Sequence, residues 1–124
     1  MRKRTIATLS ASTALAVVAI AAPTASAEPN PPGCDRGAFC IYSGPDQTGS
    51  LLVESQGNWS GSVSGRSVFN NGTPFPGGDH IQLTWTYNGG TFSDCLHYNP
   101  GPGDYKWNFV PGVVFKQASW RGEC

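Results

Sequence analysis

His80 and His97 are the only two histidines in the chain, and each has an aspartate nearby, Asp79 and Asp94. Brought together, such a set would begin a metal site or an acid-base pair. It would complete neither, because a catalytic zinc centre usually takes three protein ligands. The sequence contains no G-x-S-x-G, no H-E-x-x-H and no C-x-x-C, so it lacks the nucleophile elbow, the zincin helix and the usual zinc-ligand spacing. The chain reads as a non-enzyme that implies no cofactor and no metal. Solvent-facing strand histidines are the plainer account of His80 and His97.

The remaining chemistry belongs to four cysteines, Cys34, Cys40, Cys95 and Cys124. Their redox state depends on the compartment, and the N-terminus indicates which one. Met1-Arg2-Lys3-Arg4 is a basic start, Ala14 to Ala22 is an unbroken apolar run, and Ala25-Ser26-Ala27 is an A-x-A cleavage site, the pattern of a secretory signal over residues 1–27. The run is too short to span about 30 Å of hydrocarbon comfortably, and Pro23 interrupts it. A secreted, extracellular product over residues 28–124 is expected, a single domain with no membrane anchor. An even number of exported cysteines reads as two disulfides. Of the three possible pairings, Cys34 with Cys40, closing a small loop, and Cys95 with Cys124 are favoured.

Loss of Arg2, Lys3 and Arg4 with the signal leaves five basic residues against eight acidic ones. The five, Arg36, Arg66, Lys106, Lys116 and Arg121, are scattered and form no basic stripe. Nucleic acid and anionic membrane are therefore excluded as expected partners.

Sixteen glycines, ten prolines and fourteen aromatic residues leave few stretches able to form a helix and favour short strands joined by turns. The clearest strand is His80 to Tyr87, where Ile81, Leu83, Trp85 and Tyr87 alternate with polar neighbours. Asn88-Gly89 follows and suits a two-residue type I′ hairpin turn. That turn sets Tyr87 opposite Gly90, Trp85 opposite Phe92, Ile81 opposite Leu96 and His80 opposite His97, with Asp94 the one misfit, facing Leu83. If Gly90 lengthened the loop, the register would slip by one. Further strands are expected at Phe39 to Tyr42, Leu51 to Glu54, Ser67 to Asn70, Tyr105 to Phe109 and Val113 to Trp120, about seven in all, in an all-β Greek-key sandwich.

The run Cys34-Asp35-Arg36-Gly37-Ala38-Phe39-Cys40-Ile41-Tyr42-Ser43-Gly44, followed by Gly49, Gly65-Arg66-Ser67, Asn71-Gly72-Thr73 and Phe75, resembles the Streptomyces-type metalloproteinase inhibitors. The likeness covers roughly Cys34 to Tyr98. It implies a small, exported peptidase inhibitor with a βγ-crystallin-like fold of two Greek keys, acting as a monomer on an extracellular proteinase. The family's reactive bond follows a cysteine, and the matching bond here joins Cys95 to Leu96. A large apolar residue after the bond suits the hydrophobic pocket of thermolysin-like enzymes, and a disulfide at Cys95 would preorganise the loop. The chain departs from the family pattern at this point, since Leu96-His97-Tyr98-Asn99-Pro100 holds no second cysteine and Cys95 must pair with Cys124. The hairpin and the resemblance make opposite demands on Leu96, one turning it to the core and the other to the enzyme.

Many βγ-crystallin domains bind calcium through N/D-N/D-x-x-S/T-S. The equivalent stretch, Ser62-Val63-Ser64-Gly65-Arg66-Ser67, lacks both leading oxygen donors and carries an arginine, so no calcium site is expected. The alternative function is a secreted binding or structural module on the same scaffold, with Trp59, Trp107 and Trp120 stacking on carbohydrate at a cell surface. Asn58-Trp59-Ser60 and Asn71-Gly72-Thr73 match the N-glycosylation pattern, but the prokaryotic look of the signal argues against modification.

Overall fold

The structure, a computed structural model, describes residues 26–124; most of the segment expected to be a secretory signal, up to residue 25, lies outside the described residues. Eight strands follow one another: β1 (Phe39–Tyr42), β2 (Leu51–Ser55), β3 (Trp59–Ser64), β4 (Ser67–Asn70), β5 (His80–Tyr87), β6 (Gly90–Leu96), β7 (Lys106–Asn108) and β8 (Val114–Arg121). They form two four-stranded antiparallel sheets, ordered β2-β1-β4-β7 and β3-β8-β5-β6. Each run of four strands gives its third member to the other sheet, β3 to the second and β7 to the first. The result is a pair of interlocked Greek keys.

The hairpin pairs Tyr87 with Gly90, Trp85 with Phe92, Leu83 with Asp94 and Ile81 with Leu96. Asn88 and Gly89 take φ of 50° and 81°, the two positive values that a type I′ turn requires. Asp94 tolerates its place opposite Leu83 because β6 is an edge strand, with Thr91 to Asp94 all exposed. His97 falls one residue beyond β6, yet its ring meets that of His80 edge-on at 4.5 Å.

Strand β3 is the element that the sequence reading omits. It pairs along β8 with a register shift between Ser60 and Val63, and Ser60, Gly61 and Ser62 are exposed. The bulge and the small polar residues remove the period of two that marks a strand.

The inner faces meet in one core, with Phe39, Ile41, Val53 and Val68 from the first sheet against Ile81, Leu83, Leu96, Phe115 and Ala118 from the second. The first sheet is covered on its outer face as well. There Cys34, Cys40, Tyr42 and Phe69 pack together, with Leu51 and Tyr105 at the margin, so every residue of β1 and β4 is buried. Disulfides join Cys34 to Cys40 and Cys95 to Cys124. Trp59, Trp107 and Trp120 are half-buried and pack against the main core. Their faces thereby complete a small core short of aliphatic residues, which is the commoner use of such side chains.

Buried polar residues hold the outer cover in place. Asn71, fully buried, donates from Nδ2 to Asn30 Oδ1 at 2.9 Å and to the Cys34 carbonyl at 3.1 Å. Its Oδ1 accepts from Arg36 Nη1 at 3.1 Å and Asn99 Nδ2 at 3.2 Å. Asn71→Leu strands all these partners at once. A single unmatched buried group costs about 1–3 kcal/mol, so a loss of about 3 kcal/mol in urea unfolding is expected. Burial also closes Asn71 as a glycosylation acceptor in the folded chain.

Candidate functional site

The end of the sandwich where β5 begins and β6 finishes gathers the residues that the sequence singled out. Here lie the Thr73–Gly78 loop, Asp79, His80, Leu96, His97 and the Cys95–Cys124 disulfide. An open groove of about 610 Å³ runs along this end, with His80, Asp94, Cys95, His97, Tyr98 and Trp107 among its walls.

The histidines do come together, and His80 is buried rather than facing solvent. Nδ1 of His80, 4% exposed, lies 2.6 Å from Asp79 Oδ1. Nδ1 of His97 lies 2.6 Å from the Tyr98 carbonyl, which can only accept, so this nitrogen carries the proton. Tyr98 closes the group, its ring 4.2 Å from that of His97 and 5.7 Å from that of His80. Asp94 uses Oδ1 on the Cys95 N–H. Among the described residues no three of His, Cys, Asp or Glu converge on a metal-sized site.

Asp79 is the pivot of the end. Its Oδ2 accepts the Phe75 N–H at 2.8 Å, its Oδ1 pairs with His80, and its carbonyl accepts from Asn70 Nδ2 at 3.0 Å. Burial pushes the carboxyl upward, but the bonds from Phe75 and His80 outweigh it and hold its pKa below the ordinary value. A depressed carboxyl stabilises the fold above its unfolded pKa and loses that contribution as pH falls through its lower folded pKa. Thermal melts of wild type and Asp79→Ala are therefore expected to differ from neutral pH down to the carboxylate range. The gap should narrow only in stronger acid, as the wild-type carboxyl takes its proton.

Cys95 is tethered and half-buried, and Leu96 is placed plainly: it is 0% exposed, sits in the ladder opposite Ile81, and packs in the main core. In this fold Leu96 meets core side chains and leaves none of its apolar surface exposed. The hairpin's demand on Leu96 prevails because a large aliphatic side chain gains about 1.5–3 kcal/mol from full burial.

Asn70, Asn71 and Asn99, all fully buried, are the site residues that the sequence reading passed over. Asn70 ties the sheets together: it ends β4, donates to the Leu96 carbonyl at 3.3 Å, and accepts the Gly72 N–H at 2.9 Å. Asn99 holds Glu28 by both backbone groups, its Oδ1 accepting the N–H at 2.7 Å and its Nδ2 donating to the carbonyl at 2.8 Å. The Glu28 carboxylate is pinned in turn by Lys106 and by the Tyr105 hydroxyl, each at 2.8 Å. The Lys106 bond leads in holding the Glu28 carboxyl below its ordinary pKa. The N-terminal stretch is thus docked from its first half-buried residue onward.

The model of peptidase inhibitor family I36 matches residues 27–98, from Ala27 through β6 to Tyr98. The chain belongs to that family, the Streptomyces metalloproteinase inhibitor family. Comparison with curated proteins and with solved structures returns no match. The I36 match includes both cysteines of the first disulfide, the paired hairpin and Cys95, and it stops before β7 and β8. Membership makes the chain one of a family of non-catalytic peptidase inhibitors.

Proposed function

We propose that the chain is exported, cleaved after Ala27, and inhibits a metallopeptidase by filling its active-site cleft with the end of the sandwich tethered by Cys95–Cys124. Membership of the I36 family carries this reading. The rigidity of that end supports it, because a surface already ordered when free loses little conformational entropy on docking. Leu96 fixes the end by reaching into the core, and the enzyme meets the residues around it.

Cleavage after Ala27 gains support from the change at that point in the chain: Ser26 and Ala27 are exposed, whereas Glu28 is held by Asn99, Lys106 and Tyr105. N-terminal sequencing of the secreted protein is expected to begin at Glu28. For function, the oxidised secreted protein is assayed against thermolysin-like, serine and cysteine peptidases. Inhibition of the first class is expected, and its absence at micromolar concentration would remove this reading.

A further inference from the structure

We propose that Phe75, carried on the Thr73–Gly78 loop, is the side chain that enters the peptidase's apolar specificity pocket. The inference rests on the inhibitor reading above and names the residue that does the work.

Phe75 is 68% exposed, more than Val110 at 54% or Phe92 at 47%. Phe92 has a partner, since its ring stacks on Trp85 at 6.1 Å. Among the described residues Phe75 pairs with no other aromatic ring; it leans on the backbone of Gly78, where an added Cβ would stand 3.0 Å from its Cδ1. A lone exposed apolar side chain is common on a folded surface; what sets Phe75 apart is the loop that holds it in place.

The loop that carries it is stiff. Five consecutive exposed residues, Thr73 to Gly77, stand between the buried pair Asn71-Gly72 and the buried pair Asp79-His80. Pro74 and Pro76 flank Phe75 and fix φ on either side. The Gly78 N–H donates to the Phe75 carbonyl at 2.9 Å, and Gly77 takes φ of 88°, the arrangement of a type II turn with Pro at its second and Gly at its third position. Asp79 takes the Phe75 N–H, and Asn70 takes the Gly72 N–H. An anchor held in this way gives up little freedom on binding.

The same features make the loop a poor substrate. The Phe75–Pro76 bond has no N–H, and proline restricts the chain that must be distorted for attack. At the Pro74–Phe75 bond the leaving nitrogen is already committed to Asp79. A peptidase that accepted Phe75 just after its scissile position would meet a nitrogen whose hydrogen bond keeps the two ends together. The loop lies at the tethered end of the domain: an added Cβ at Gly122 would come 3.3 Å from the Gly77 Cα, so the loop touches the segment that leads into Cys124.

The test compares wild type, Phe75→Ala, Phe75→Leu and Phe92→Ala as inhibitors of a thermolysin-like metallopeptidase, with the melting temperature of each as a check on folding. Phe75→Ala is expected to melt like wild type and to inhibit about 30-fold or more weakly, the scale of an interface anchor. Phe75→Leu should keep most of the inhibition and Phe92→Ala all of it. If wild type inhibits and a folded Phe75→Ala inhibits equally well, the assignment of Phe75 is wrong while the inhibitor reading stands. If wild type itself does not inhibit, both fall together.

Discussion

Leu96→Asp is expected to unfold the domain rather than to leave it folded and inactive. The side chain is fully enclosed by core residues and lies opposite Ile81, in a cluster that among the described residues holds only apolar side chains. Burying an unpaired charge costs several kcal/mol, and the lost apolar burial adds about 1.5–3 kcal/mol. A domain of this size is stable by about 5–15 kcal/mol in all, so the variant should show no native near-ultraviolet circular dichroism. Leu96→Ala separates the two roles that the sequence suggests for this residue. It should fold with a loss of about 2–5 kcal/mol and inhibit as strongly as wild type while folded. A folded Leu96→Ala that had lost its inhibition would return the reactive role to the Cys95–Leu96 bond.

Leu96 illustrates how much of the molecule the sequence discloses. Strict alternation from His80 to Tyr87 and a two-residue Asn88-Gly89 turn are enough to set Ile81 against Leu96, because register in a tight hairpin is fixed locally. Family likeness at Cys95 pulls the other way, since it transfers a role by position and says nothing of which face a side chain takes. Strand β3 escapes notice because Ser60, Gly61 and Ser62 are exposed on an edge strand and a bulge breaks the period. Asn70 reads as the end of a strand and Asn71 and Asn99 as loop residues, which they are; their burial depends on partners 26 to 71 positions away, and no local pattern encodes that. Asp79 and His80 stand out in the sequence as chemistry, and the fold uses the carboxylate to pin Phe75.

Removing the Cys95–Cys124 disulfide by a double change to serine should cost about 3–4 kcal/mol, read as a lower urea midpoint. The bridge closes a loop over a sequence separation of 29, and a constraint of that length removes entropy from the unfolded chain on this scale. The bridge between Cys34 and Cys40 spans a separation of only 6, and its removal should cost about 2 kcal/mol on the same model. Inhibition should not follow stability in this pair. Phe75 is pinned through Asp79 and Asn70, neither of which depends on the bridge, so the folded fraction of the Cys95/Cys124 variant should keep most of its affinity. Its inhibition should disappear on warming at the temperature where its own melt begins. If affinity were lost at a temperature where the variant is fully folded, the bridge would be acting on the enzyme-facing surface directly. Residues 122–124, which Gly77 touches, would then belong to the inhibitory contact alongside Phe75.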